Sequence, residues 1–339
     1  MKKERTMPSE APEQSAGKLR SLWEQLISDR NSFIRYGGFA VVLLVFALST
    51  GGRLFSSYNL KVLMSQITPL LIMSVGMVFI FAHGGMDISV GAVSGLCSLV
   101  SVYVLNATGS VLAVLLVSIL LAVLCYSINC LISEFFGLMS TISSLAIMFA
   151  ARGIITFNVA QTSEAIRIQQ TKLLSVFSDS YLFMALACVL AVLVTWFLFS
   201  FTKLGKQARA IGDNPLSARQ SGANVNLVKL LCYVVAGVCI GFASVFSIAR
   251  VGSVSENIGS GREMDVIIAV ILGGMTLSGG CKSRISSAVI GSITFVLLSN
   301  GLSLSGVSSL YVSLIKGALF LIIVFLTLRQ NKNVLELPR

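Results

Sequence analysis

Residues 66–106 read QITPLLIMSVGMVFIFAHGGMDISVGAVSGLCSLVSVYVLN. Two apolar runs, each close to the ~20 residues that cross a bilayer, flank a short polar break holding a glycine pair and a single acid. The same pattern of run, break and run recurs outward in both directions. Ten apolar spans are expected, at 34–50, 66–82, 88–106, 111–132, 139–158, 181–201, 227–249, 265–279, 285–301 and 309–328. The fold class that follows is an all-α polytopic membrane protein with about ten transmembrane helices. Several spans are short and rich in glycine, which points to close helix packing, tilt or broken helices.

The composition agrees. Of 339 residues, 55% are hydrophobic and only 12% charged, about half the charge of a soluble domain. The first apolar run opens at residue 34, so no secretory signal peptide is expected. The seven cysteines are odd in number and scattered, mostly within apolar runs, and read as small buried hydrophobes. His83 is the only histidine, which argues against a histidine-bound metal and against Ser-His catalysis. No catalytic residue and no metal ligand is assigned.

Three regions follow from the spans. Residues 1–33 form an N-terminal cytosolic segment in which Leu19, Leu22, Trp23, Leu26 and Ile27 recur at helical spacing. That stripe suits an amphipathic helix on the membrane surface. Residues 34–328 make the transmembrane domain, with a cytosolic loop at 202–226, and 329–339 make a cytosolic tail. With both termini inside, 17 of the 25 basic residues fall on the inner side and six on the outer. This is the asymmetry of the positive-inside rule, and it accounts for the net charge of +11 without a nucleic-acid partner. Arg152 and Lys316 lie inside spans and are expected to snorkel toward a span end.

The break at Gly84-Gly85-Met86-Asp87-Ile88-Ser89 has a near copy at Gly273-Gly274-Met275-Thr276-Leu277-Ser278. Two related halves would produce this pair, and substrate paths often follow the interface of such halves. The glycines permit positive φ and close helix approach. Asp87 is placed to cap the following helix, with Thr276 as the weaker equivalent; alternatively Asp87 or Ser89 lines a translocation path or gate. Asn129, Thr141, Ser144 and Asn300 are the other polar candidates for that path, and each also has the option of bonding a neighbouring helix. GGMTLSGGCKS resembles a phosphate loop, but its lysine arrives two places late and no strand precedes it, so no nucleotide site is expected.

The cytosolic loop contains AIGDNPLSARQSG, residues 210–222. Asn214 and Pro215 make a helix start, and Gly222 makes a stop. A short helix over 215–221 is therefore expected, with small Ser217 and Ala218 able to enter a partner's groove, or else lying against its own chain. This segment resembles the coupling segment of bacterial ABC importer permeases of the ribose and simple-sugar type. GGMDISVG at 84–91 is similar to that family's Gly-Gly-Ile-Asp-Leu-Ser-Val-Gly stretch. REMDVIIAVILGGMTLSGG at 262–280 and NGLSLSGVSSLYVSLIKG at 300–317 resemble its late motifs. Three departures stand out. Ser217 replaces an alanine, Cys281-Lys282-Ser283 replaces a glycine-rich stretch, and Ser140-Thr141-Ile142-Ser143-Ser144-Leu145-Ala146 stands where the family writes Pro-Phe-Ile-x-Thr-Leu-Gly.

The resemblance implies a permease subunit with no cofactor of its own, ATP and magnesium belonging to a partner. That partner is a cytosolic ABC ATPase gripping Asn214, Pro215, Ser217, Ala218, Arg219, Ser221 and Gly222. It also implies an extracytoplasmic binding protein, a second permease copy or paralogue, and the lipid bilayer of the bacterial inner membrane. The expected cargo is a monosaccharide such as ribose. A nucleoside, an autoinducer-like sugar derivative or a branched-chain amino acid are alternatives within the class. An ion-driven carrier is the alternative from another class, with Asp87, Glu134, Glu263 and Asp265 as its only candidate acids.

Overall fold

The computed structural model describes residues 30–332, apart from 163–165 and 277. The expected surface helix before residue 30 and the tail beyond 332 lie outside the described residues. The long helices are α1 (Arg30–Ser49), α2 (Ser57–Ala82), α3 (Val90–Thr108), α4 (Val111–Phe136) and α5 (Ser140–Gln161), followed in turn by α7 (Tyr181–Phe201), α10 (Val225–Val251), α12 (Ile285–Leu304) and α13 (Ser309–Lys332). Four shorter helices interleave with them: α6 (Thr171–Asp179), α8 (Lys203–Asp213), α9 (Pro215–Gln220) and α11 (Arg262–Leu272). Seven helices among the described residues are long and apolar enough to cross a membrane: α2, α3, α4, α5, α7, α10 and α12. Among the described residues, the strands are limited to one antiparallel pair, β1 (Ile166–Arg167) with β2 (Ser253–Val254).

The expected eighth span at 265–279 is a broken one: its helix is short, and the chain beyond it continues to Gly280, which bonds the end of α2. α11 has 11 residues, about 16 Å of helix, and ends where the second glycine pair turns the chain away. The span opening at 66 begins earlier, at Ser57, because the Ser56 hydroxyl caps the Asn59 N–H. The expected 202–226 loop is largely helical, and the segment after α5 contributes β1 and α6.

α2 forms the centre: every residue from Ile67 to His83 is buried. α10 packs against both α2 and α4. On α10, Gly237 and Gly241 stand four apart and face the α4 backbone, where an added Cβ would lie 2.8 Å from the Val123 Cα and 2.5 Å from the Ile119 Cα. Only glycine lets these two helices approach so closely. The opposite side of α4 shows Leu112, Leu116, Leu120, Leu124 and Leu131 exposed. A soluble surface rarely carries so long an apolar stripe, and hydrocarbon suits it. Polar side chains turn inward instead; Ser101 and Ser118 join α3 to α4 through a 2.6 Å hydrogen bond.

The bundle has two distinct ends. At the lower end, the C-terminus of α2, helices α8 and α9, and the chain after α11 meet: Gly280 N–H donates to the Ala82 carbonyl, and Cys281 N–H to Asp213 Oδ1. At the upper end, the β1–β2 pair sits over α3, with Asn106 Nδ2 donating to the Arg167 carbonyl.

Candidate functional site

The first glycine turn is a helix stop of defined geometry. Gly84 has φ +81, its N–H donates to the Phe81 carbonyl, and the Gly85 N–H donates to that of Ile80. Such a turn needs the left-handed conformation that glycine adopts without strain. The second copy repeats the pattern: Gly274 has φ +87 and bonds Ile271, and Met275 bonds Val270. The correspondence is offset by one residue from the sequence match, because Gly84 pairs with Gly274 and not with Gly273. Thr276 therefore stands opposite Met86, which corrects its reading as the weaker equivalent of Asp87. The repeat also stops at the turn, since the preceding helices have 26 and 11 residues.

Beyond Gly85 the chain runs extended to Ser89 before α3 begins. Backbone of this kind survives at membrane depth only where protein groups satisfy it. Here α5 does so. The Met86 N–H donates to Ser140 Oγ (3.1 Å) and the Ile88 N–H to Ser144 Oγ (3.2 Å). Alternate residues of an extended chain lie about 6.6 Å apart, and residues four apart on a helix about 6 Å. Two serines one turn apart on α5 therefore match two alternate N–H groups of the segment.

Asp87 anchors the other side. Its Oδ1 accepts from the Ser89 N–H (2.7 Å) and the Ser89 hydroxyl (2.6 Å), and its Oδ2 from Asn129 Nδ2 of α4 (2.5 Å). The Asn129 Oδ1 in turn accepts from the Ser143 hydroxyl at 2.6 Å. Asp87, Ser89, Asn129 and Ser144 are wholly buried. Asp87 does not cap α3 itself, since Ser89 holds the cap position and no N–H within α3 reaches the carboxylate; it bonds Ser89 and so ties the start of α3 to α4, and through Asn129 to α5. The sequence pointed to these four residues but not to Ser140 and Ser143. The signal for both was present, since they belong to the stretch that departs from the family pattern, with Ser140 where proline is usual.

Thr141 and Asn300 are not part of this cluster. Thr141 contributes its carbonyl to the Ser144 hydroxyl, and lines a lower-end cavity of about 450 Å³ with His83, Tyr233 and the Glu134–Lys229 ion pair (2.7 Å). Asn300 lines a separate cavity near the upper end. The expected snorkelling of Arg152 and Lys316 is also corrected, because protein groups hold both cations. Arg152 Nη1 donates to the Ile258 carbonyl at 2.6 Å, and Lys316 pairs with Asp265 at 3.0 Å.

At the lower end α9 has the expected form. The Asn214 side chain accepts from the Leu216 and Ser217 N–H groups, Pro215 opens the helix, and Gly222 follows it at φ +86. The residues divide by face. Leu216, Ser217, Arg219 and Ser221 are exposed, whereas Ala218 is buried against its own chain. The preceding α8 brings Gly212 against the Ala82 carbonyl, so the α8–α9 unit sits directly on the end of α2.

The family described as the branched-chain amino acid transport system, permease component, matches residues 59–324. The chain belongs to this permease family. The ribose import permease protein of Bacillus subtilis (strain 168) is 33% identical over 301 residues, covering 87% of this chain and 92% of that protein. The corresponding ribose import permease protein of Escherichia coli (strain K12) is 29% identical over 293 residues, covering 84% and 90%. The galactose/methyl galactoside import permease protein of Escherichia coli (strain K12) is 28% identical over 326 residues, covering 88% and 96%. No solved structure matches the chain. The permease is a multi-pass membrane protein, as its exposed apolar helix faces require.

Proposed function

We propose that this permease is the membrane-spanning subunit of an ATP-driven importer for a monosaccharide. The observation that carries the reading is the combination of similarity to sugar import permeases along most of the chain with one capped, outward-facing helix at the lower end. In this reading the lower end is cytosolic, and an ABC ATPase supplied by another chain seats on Leu216, Ser217, Arg219 and Ser221, with ATP and magnesium held there. Ala218 anchors the helix, and Asn214, Pro215 and Gly222 set its ends. The upper end faces an extracytoplasmic binding protein that delivers the sugar, and a second permease copy or paralogue completes the path. α9 packs on α8, and α8 rests on the end of α2, whose Gly84-Gly85 turn leads into the segment holding Asp87, so movement of the ATPase has a short mechanical route to the centre of the bundle.

The tagged permease, extracted in mild detergent, is expected to co-purify with an ABC ATPase. Membranes carrying the pair, supplied with the binding protein, should take up a labelled monosaccharide, ribose or its acid D-ribonate, only when ATP is present inside. Because the matching family is described by branched-chain amino acids, leucine is the competitor to include; leucine uptake with no uptake of ribose or D-ribonate would overturn the cargo. A permease that purifies without an ATPase and moves solute on an ion gradient alone would overturn the class.

Orientation makes a separate expectation. Reporter fusions at residues 10 and 335 should both read as cytosolic, because the basic residues concentrate on that side. Opposite readings would require an odd number of crossings.

A further inference from the structure

The upper-end cavity, about 260 Å³, lies where α10, α11, α12 and α13 converge. Arg250 closes α10, Arg262 and Asp265 open α11, Ser299 and Asn300 come from α12, and Lys316 comes from α13. Its charges do not balance. Asp265 accepts from Lys316 at 3.0 Å, and the same ammonium lies 4.8 Å over the Phe295 ring. Arg250 and Arg262 make no ion pair or hydrogen bond among the described residues. Three cations therefore face one acid.

The uncharged polar groups are equally unspent. Asn300 is 6% exposed, and its Oδ1 has no hydrogen-bond partner; the Ser299 hydroxyl is buried and also without one. Buried polar atoms are nearly always bonded, so two orphaned groups on the wall of one cavity mark a place for a ligand. An arginine fork fits a carboxylate in two parallel hydrogen bonds. Asparagine and serine beside it fit hydroxyl groups, which donate or accept as required. The volume lies below the range of drug-sized pockets and is on the scale of a single sugar.

We propose that this cavity binds a monosaccharide that carries a carboxylate, its charge held by Arg250 and Arg262 and its hydroxyls by Asn300 and Ser299. The inference rests on the sugar-permease reading and narrows its cargo from neutral sugars to sugar acids. Lys316 and Asp265 act as a wall, since their mutual pairing leaves the two arginines for the ligand.

The test uses the full-length permease in lipid nanodiscs, without ATPase or binding protein, and reads thermal stability and equilibrium binding. D-Ribonate should raise the melting temperature in a saturable way, and D-ribose should not. Arg262→Gln should weaken D-ribonate binding roughly tenfold or more, as expected for loss of a charge-assisted hydrogen bond. Arg250→Gln, at the exposed rim, serves as the second variant if the first does not assemble, and should weaken binding in the same direction. No response to D-ribonate, an equal response to D-ribose, or unchanged affinity in the arginine variants would overturn the proposal. The permease is probed alone, so each of those results leaves the import reading standing; that reading is decided by ATPase co-purification and ATP-driven uptake.

Discussion

Leu216→Asp should abolish ATP-driven uptake while the permease still reaches the membrane at the wild-type level. A six-residue helix does not persist in water by itself. α9 persists because Asn214 caps two of its N–H groups and Ala218 is pressed into the chain beneath. What remains outward is Leu216, 66% exposed, next to Ser217 and Arg219. Burying such a leucine in a partner's cleft is worth about 1.5–3 kcal/mol. Replacing it with aspartate loses that term and adds a charge that must be desolvated, without touching the permease's own core. The expected picture is normal membrane abundance by immunoblot, a normal melting temperature, and uptake near background. Normal uptake by Leu216→Asp would remove α9 from the coupling role.

Two neighbouring changes separate contact from support. Ala218→Glu should also stop uptake, but by lifting α9 off α8 and α10, so it should lower thermal stability as well. At Gly222 the space around the Cα is open, so side-chain bulk meets nothing. A substitution there acts through the left-handed φ of +86, which other residues adopt only at a cost of about 1–2 kcal/mol. Gly222→Val is therefore expected to be milder than Leu216→Asp.

The long helices were legible because run length and hydropathy report directly on a bilayer crossing. The capped α9 was legible because Asn-Pro and Gly act locally, through the backbone of their own turn. α8 was not. Residues 202–226 read as a cytosolic loop, whereas Gly212 lets the helix touch the end of α2. α11 was overextended for the opposite reason: the residues after it are apolar, and the turn at Gly273-Gly274 outweighs them. In the site, Asn129 and Asn300 looked alike as single polar residues within apolar runs. Only the packing of α4 against the extended segment sends Asn129 to Asp87, while Asn300 faces a cavity some distance away. The offset between the two glycine turns was hidden as well, because identical letters align by sequence and helix ends align by hydrogen bonds.

The largest expected effect inside the bundle belongs to Asp87, and the kind of substitution decides its size. Both carboxylate oxygens accept hydrogen bonds, one from Ser89 and one from Asn129. Asp87→Ala leaves the Ser89 N–H and the Asn129 amide without acceptors in a site from which water is excluded. Orphaning buried donors costs about 1–3 kcal/mol each, so a total of roughly 2–6 kcal/mol is expected, read as a clear drop in melting temperature and loss of uptake. Asp87→Asn is different. Its Oδ1 can keep the two Ser89 bonds while its amide N–H₂ points at Asn129. Asn129 then needs only to turn its amide, placing its oxygen toward position 87 and its N–H₂ toward Ser143. Ser143 can accept there, because its own hydroxyl also reaches the Ser140 carbonyl at 3.0 Å. The chain of bonds reverses direction with every group still satisfied, so Asp87→Asn should melt within a few degrees of wild type and transport nearly as well. Asn129→Asp supplies the opposite control: it sets a carboxylate against Asp87 and removes the donor between them, and should be as damaging as Asp87→Ala. If Asp87→Asn melts normally yet transports nothing, the negative charge itself is required, and Asp87 belongs to the transport cycle in addition to holding α3, α4 and α5 together.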